Sequence, residues 1–148
     1  MTIADKINIL NSAIVKMNTY LSYGSSYSDE LFSYGGRVKS DAVQALKNIG
    51  APQYSINSIQ NVSFNSCQSD MFGCHVGEYE MKCANKCNAY KQSVNSVINI
   101  LEQERTHLIQ EQNNEEQKSN KRLAKWTLVF SIIAALGTIA SVLLAIFN

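Results

Sequence analysis

The sequence predicts a mainly α fold: a helical hairpin, a cysteine-bearing segment, and a long helix leading into one C-terminal transmembrane helix. Three observations predict it. Residues 126–147, WTLVFSIIAALGTIASVLLAIF, carry no charge, and at 1.5 Å rise per residue they extend roughly 33 Å, close to the apolar thickness of a bilayer. Two stretches nearer the N-terminus repeat apolar residues at helical spacing. The chain's single proline, Pro52, follows Gly50 where the second of these stretches ends.

Residues 2–21 form the first predicted helix. Thr2 and Asp5 stand three apart, as in a capping box with the shorter acid. Ile3, Ile7, Leu10, Ile14, Met17 and Leu21 then make one apolar stripe. The run SYGSSYS at 22–28 predicts a turn. Ser28 is placed to cap a second helix, with Asp29 and Glu30 at its positive dipole end. Leu31, Gly35, Val38, Ala42, Ala45 and Ile49 continue the same spacing. Gly35 and Gly36 weaken that helix: either it breaks there, or it is continuous and its small residues let helix 1 approach closely. The first stripe is expected to pack on the second, or else to present heptads to another chain as a coiled coil.

Residues 54–64 read both ways, with Ile56 and Ile59 at helical spacing and Val62 and Phe64 alternating like a strand edge. From about Glu78 the pattern is helical again. Val94, Val97, Leu101 and Leu108, with Ile98 and Ile109 beside them, predict a core-facing stripe. Residues 110–122 contain no apolar side chain and suit a solvated stalk. The expected organisation is therefore a helical soluble domain at 1–109 with its cysteine segment at 67–87, a polar and basic juxtamembrane stalk at 110–125, and a transmembrane helix at 126–147.

Charge sets the expected direction. Lys118, Lys121, Arg122 and Lys125 precede the apolar run with no acid among them, and no positive residue follows it. Positive residues beside a span stay cytoplasmic, so the N-terminal domain is expected in the cytoplasm, with Trp126 at the near interface. The start of the chain has no basic region followed by an apolar run, so no signal peptide is expected, and the topology is that of a tail anchor. The same basic cluster suits anionic lipid headgroups. Within the span, Gly137, Ser141 and Ala145 recur four apart and offer a small-residue face for homo-oligomer contact.

All four cysteines, Cys67, Cys74, Cys83 and Cys87, fall in one segment with His75 beside the second. Three readings compete. Thiolates and an imidazole are natural zinc ligands, and Cys83 and Cys87 share a helical face, but the Cys-x2-Cys knuckle is absent. Two disulfides, nested as 67–87 and 74–83, would tie the segment to the long helix but need an oxidising compartment. Reduced thiols packed as small hydrophobes need nothing further.

Net charge is +1, so no global field favours nucleic acid. The sequence has no Gly-rich phosphate loop, no His-x3-His pair and no Gly-x-Ser-x-Gly elbow, and an enzyme is not expected. In outline the chain resembles tail-anchored proteins such as SNAREs and some small phage-encoded lysis proteins. A fusion helix keeps its heptads up to the membrane, however, and here they stop after Ile109, so no residue role is carried over. The expectation is a non-enzymatic interaction, assembly or structural module at a membrane surface, with the bilayer and a protein as partners. The alternative is a membrane-perturbing protein of lysis, toxin or viral-entry type acting through oligomerised spans.

Overall fold

At the N-terminus, the Thr2 backbone N–H donates to Asp5 Oδ2 at 2.8 Å and the Asp5 N–H donates to Thr2 Oγ1 at 3.1 Å. This reciprocal box pairs two donors that the first turn of a helix leaves open, and it starts α1 (Ile3–Tyr23). The structure, a computed structural model, describes residues 1–26, 28, 30–65 and 76–147, with side chains left aside at 76 and 137–147. Among the described residues the elements are four helices: α1, then α2 (Leu31–Ile49), α3 (Gln53–Asn61) and α4 (Val76–Phe147). The mainly helical class is as the sequence predicts.

The start of α2 differs from expectation. Its N-cap is Glu30, with no side-chain cap bond; the Ser28 hydroxyl instead accepts from the Glu30 N–H at 3.2 Å. Ser28 lies two residues before the cap position, too early to reach the N–H groups that a cap must satisfy. Gly50 ends the helix in the left-handed region, φ 68°, where glycine carries no Cβ penalty. Pro52 then caps α3, so residues 53–61 resolve as helix rather than strand.

α2 runs unbroken through Gly35 and Gly36. The close approach that Gly35 allows is not to α1. A Cβ built there would lie 2.4 Å from Phe64 Cγ, so the missing side chain leaves room for a ring from the segment after α3. Phe64 also meets Tyr90 of α4, ring centroids 5.8 Å apart. Two further bonds hold α3 and this segment down: Lys39 Nζ to the Gln60 carbonyl at 2.9 Å and Ser93 Oγ to the Ser63 carbonyl at 2.7 Å.

The chain divides into two units, 1–109 and 110–148. The core of the first is one continuous cluster. Leu10, Ile14 and Met17 enter from α1, Val38, Ala42, Leu46 and Ile49 from α2, Ile56 and Ile59 from α3, and Tyr90, Val94, Val97 and Leu101 from α4. Burying each of the larger aliphatic side chains contributes about 1.5–3 kcal/mol. The centre of the α1 stripe is thus buried within this chain's own core, and Ile3, Ile7 and Leu21 pack half-buried against it. Leu108 is buried, while its neighbour Ile109 is exposed.

The second unit is a single described helix. Thr127 Oγ1 donates to the Leu123 carbonyl at 2.9 Å and Ser131 Oγ to the Thr127 carbonyl at 2.8 Å, so these hydroxyls are satisfied inside their own helix. Among the described residues no helix is long and apolar enough to cross a membrane. The expected span at 126–147 therefore does not emerge as a fold feature. Only 126–136 of it has described side chains, about 17 Å of helix against a bilayer core of about 30 Å.

Candidate functional site

Most of the predicted site residues lie on the second unit. Lys118, Lys121, Arg122 and Lys125 are all exposed on the helix, and none forms an ion pair among the described residues. Arg122, Lys125, Trp126 and Val129 line one shallow face, as positions i, i+3, i+4 and i+7 must. The Trp126 and Phe130 rings stand 6.0 Å apart beside them. Leu128, Val129, Phe130, Ile132, Ile133 and Leu136 are exposed in turn. A face of cations with an indole at its apolar edge is the composition that headgroup level favours. Gly137, Ser141 and Ala145 lie where side chains are outside the described residues, so the predicted pairing face rests on their spacing alone.

Of the cysteines, Cys83 and Cys87 lie on α4, and neither is bonded to another cysteine among the described residues. Cys87 packs in the core and Cys83 is half-buried. Cys67, Cys74 and His75 lie outside the described residues, and the predicted 67–87 and 74–83 disulfides and any zinc set lie there with them. Among the described residues no three Cys, His, Asp or Glu side chains come together to hold a metal ion.

Sequence reasoning missed a polar site in the first unit. Glu104 follows Val97 and Leu101 and precedes Leu108 at the same 4-3-4 spacing, so an acid occupies a core position of the stripe. That misplaced charge was the available signal. Glu104 is only 8% exposed. Its Oε1 accepts from Ser55 Oγ at 2.5 Å and from the Tyr54 hydroxyl at 3.5 Å; the Tyr54 bond is at the weak limit. Ser55, 2% exposed, is the buried polar residue of α3 that makes this possible. Glu104, Tyr54, Ser55, Ser58, Ile100 and His107 border a cleft of about 220 Å³ between α3 and α4. His107 is exposed there, as a solvated histidine is expected to be.

A second polar cluster joins α1 to α2. Lys16 Nζ lies 2.9 Å from Asp41 Oδ2, and the Tyr20 hydroxyl donates to the same oxygen at 2.7 Å. Burial pushes the Asp41 carboxyl up, but the hydrogen bonds from Lys16 and Tyr20 outweigh it and hold it below the usual carboxylate range. Lys16 is correspondingly raised by its bond to Asp41. Tyr20 is raised, by burial first and by Asp41 second. These groups neutralise and orient one another across two helices, a structural use of charge. Compared with protein-family models, with curated proteins and with solved structures, the chain finds no match.

Proposed function

We propose that this chain is a tail-anchored, single-pass membrane protein whose helical unit, 1–109, is a non-enzymatic interaction, assembly or structural module at the membrane surface. The observation that carries the reading is the uncharged run at 126–147. The exposed apolar side chains at 128–136 support it. At about 100° per residue they cover more than half of the helix circumference. Ala134, Ala135, Thr127 and Ser131 fill the rest, leaving no charged face toward water. A helix apolar all round needs a non-aqueous surrounding.

The unpaired cations at 118–125 then lie at the cytoplasmic headgroups, with the first unit on the same side. Gly137, Ser141 and Ala145 supply a face for self-association. The cysteines take one of three states in this setting: disulfides, a zinc site or free thiols. Thiol titration under denaturing conditions with zinc analysis separates them, since four titratable thiols without zinc leave only the last. Alkaline carbonate extraction tests the anchor. The full-length chain is expected in the membrane pellet, and a chain ending at residue 125 in the supernatant; full-length protein in the supernatant overturns the reading.

The small-residue spacing of four also favours a second reading, a membrane-perturbing protein whose oligomerised spans act directly. Dye release from liposomes by the full-length chain, lost when 126–148 is deleted, supports that reading. Partner capture with no leakage supports the module.

A further inference from the structure

We infer that the cleft between α3 and α4 is a receptor for one guanidinium or alkylammonium group, with Glu104 as its counter-charge. The inference is independent of the membrane reading, since every residue involved lies in the first unit. Both hydrogen bonds to Glu104 fall on Oε1. Oε2 accepts none among the described residues, and it is not sealed off, because no buried polar side-chain atom lacks a partner. One carboxylate oxygen therefore has no protein donor among the described residues and keeps contact with solvent, and Glu104 is among the residues that line the cleft.

No cation of the chain fills that place among the described residues. Arg105, next in sequence, turns to α1 and to its own helix: Nη1 donates to Asn11 Oδ1 at 3.2 Å and Nη2 lies 3.8 Å from Glu102 Oε1. Carboxylates withdrawn from water are stable when paired, and two hydroxyl donors on one oxygen pair only half of this one. The cleft volume of about 220 Å³ suits one basic side chain or small amine. Ile100 offers an apolar wall for a methylene stem. The Tyr54 ring, 67% exposed at the rim, offers a face for the cation itself.

The chemistry is shared by an arginine or lysine of a partner protein and by a free amine, so two probes are needed. The full-length chain in detergent micelles is followed by ¹H–¹⁵N resonance shifts during titration with n-butylguanidinium or with the peptide acetyl-Gly-Arg-Gly-amide. The neutral isostere n-butylurea is the control. Saturable shifts confined to the amides of Ser55, Ser58 and His107 are expected for the cations and not for the urea. Glu104→Gln is expected to weaken them at least tenfold. Tighter binding of the peptide assigns the cation to a protein partner; equal or tighter binding of n-butylguanidinium assigns it to a small amine.

Ser58→Phe, at an exposed position on the rim, blocks the cleft with Glu104 intact, and it serves if Glu104→Gln does not fold. Absence of saturable shifts overturns the inference. So do equal shifts with n-butylurea, or binding that survives both substitutions.

Discussion

Gly35 and Gly36 are neighbours in one helix, and their surroundings give them opposite roles. A Cβ on Gly35 would lie 2.4 Å from Phe64, whereas one on Gly36 meets nothing within 4 Å. Gly35→Ala gains helix propensity but overpacks a ring, and a net loss of about 1–3 kcal/mol is expected. Gly36→Ala is expected to stabilise by about 0.5–1 kcal/mol. Urea unfolding of both variants checks the pair, and shifts of the same sign would refute the packing assignment. The hydrogen bonds to Asp41 predict a pH effect. Its carboxyl is held below the usual carboxylate range in the folded protein, so the stability it adds is present above that range and is lost as pH falls through the folded value. The wild type is therefore expected to lose more stability than Asp41→Asn between about pH 5 and pH 2, measured as the change in urea midpoint; parallel losses would count against it. Which polar residue matters was partly legible beforehand. Glu104 stands in an apolar stripe and can be read from spacing alone, but its partner Ser55 lies far away in sequence and only the packed fold reveals it.

The helices differ in how openly the sequence declares them. Every stripe position of α2, from Leu31 to Ile49, is buried, and the Thr2–Asp5 box forms as its spacing predicts, because both signals are local. The contact of Gly35 with Phe64 was not legible, since a glycine shows that something comes near and not what. α3 was ambiguous because its apolar residues are too few to separate one period from another. α4 is tied to α1 by the Tyr90 hydroxyl, which donates to the Tyr20 carbonyl at 3.1 Å, with the Tyr90 ring fully buried. Tyr90→Phe keeps the ring and removes that donor, so a loss of about 1 kcal/mol is expected. Tyr90→Ala also opens a cavity and is expected to cost about 3–5 kcal/mol. Thermal unfolding of the two variants separates the hydroxyl from the ring; equal costs would mean that the hydroxyl carries the whole effect.

At the level of the whole chain, the first unit buries an apolar core against itself, and the second displays a run of apolar side chains. The first has a core drawn from all four helices; the second exposes Trp126, Leu128, Phe130 and Ile133. Water disfavours such a surface, and a bilayer does not. If spans pair through the small-residue face, Gly137→Leu with Ser141→Leu is expected to abolish dimer signal in a membrane reporter while leaving insertion intact. Unchanged signal would remove the face from the account. Protease protection distinguishes an anchored tail, and the side its domain faces, from an unanchored one. Full-length protein is inserted into closed vesicles of cytoplasmic-side-out orientation and then digested from outside. A protected fragment beginning near the 118–125 basic cluster and containing 126–147 is expected, with 1–109 degraded. Complete digestion of the tail, or protection of 1–109 in vesicles of cytoplasmic-side-out orientation, would contradict it.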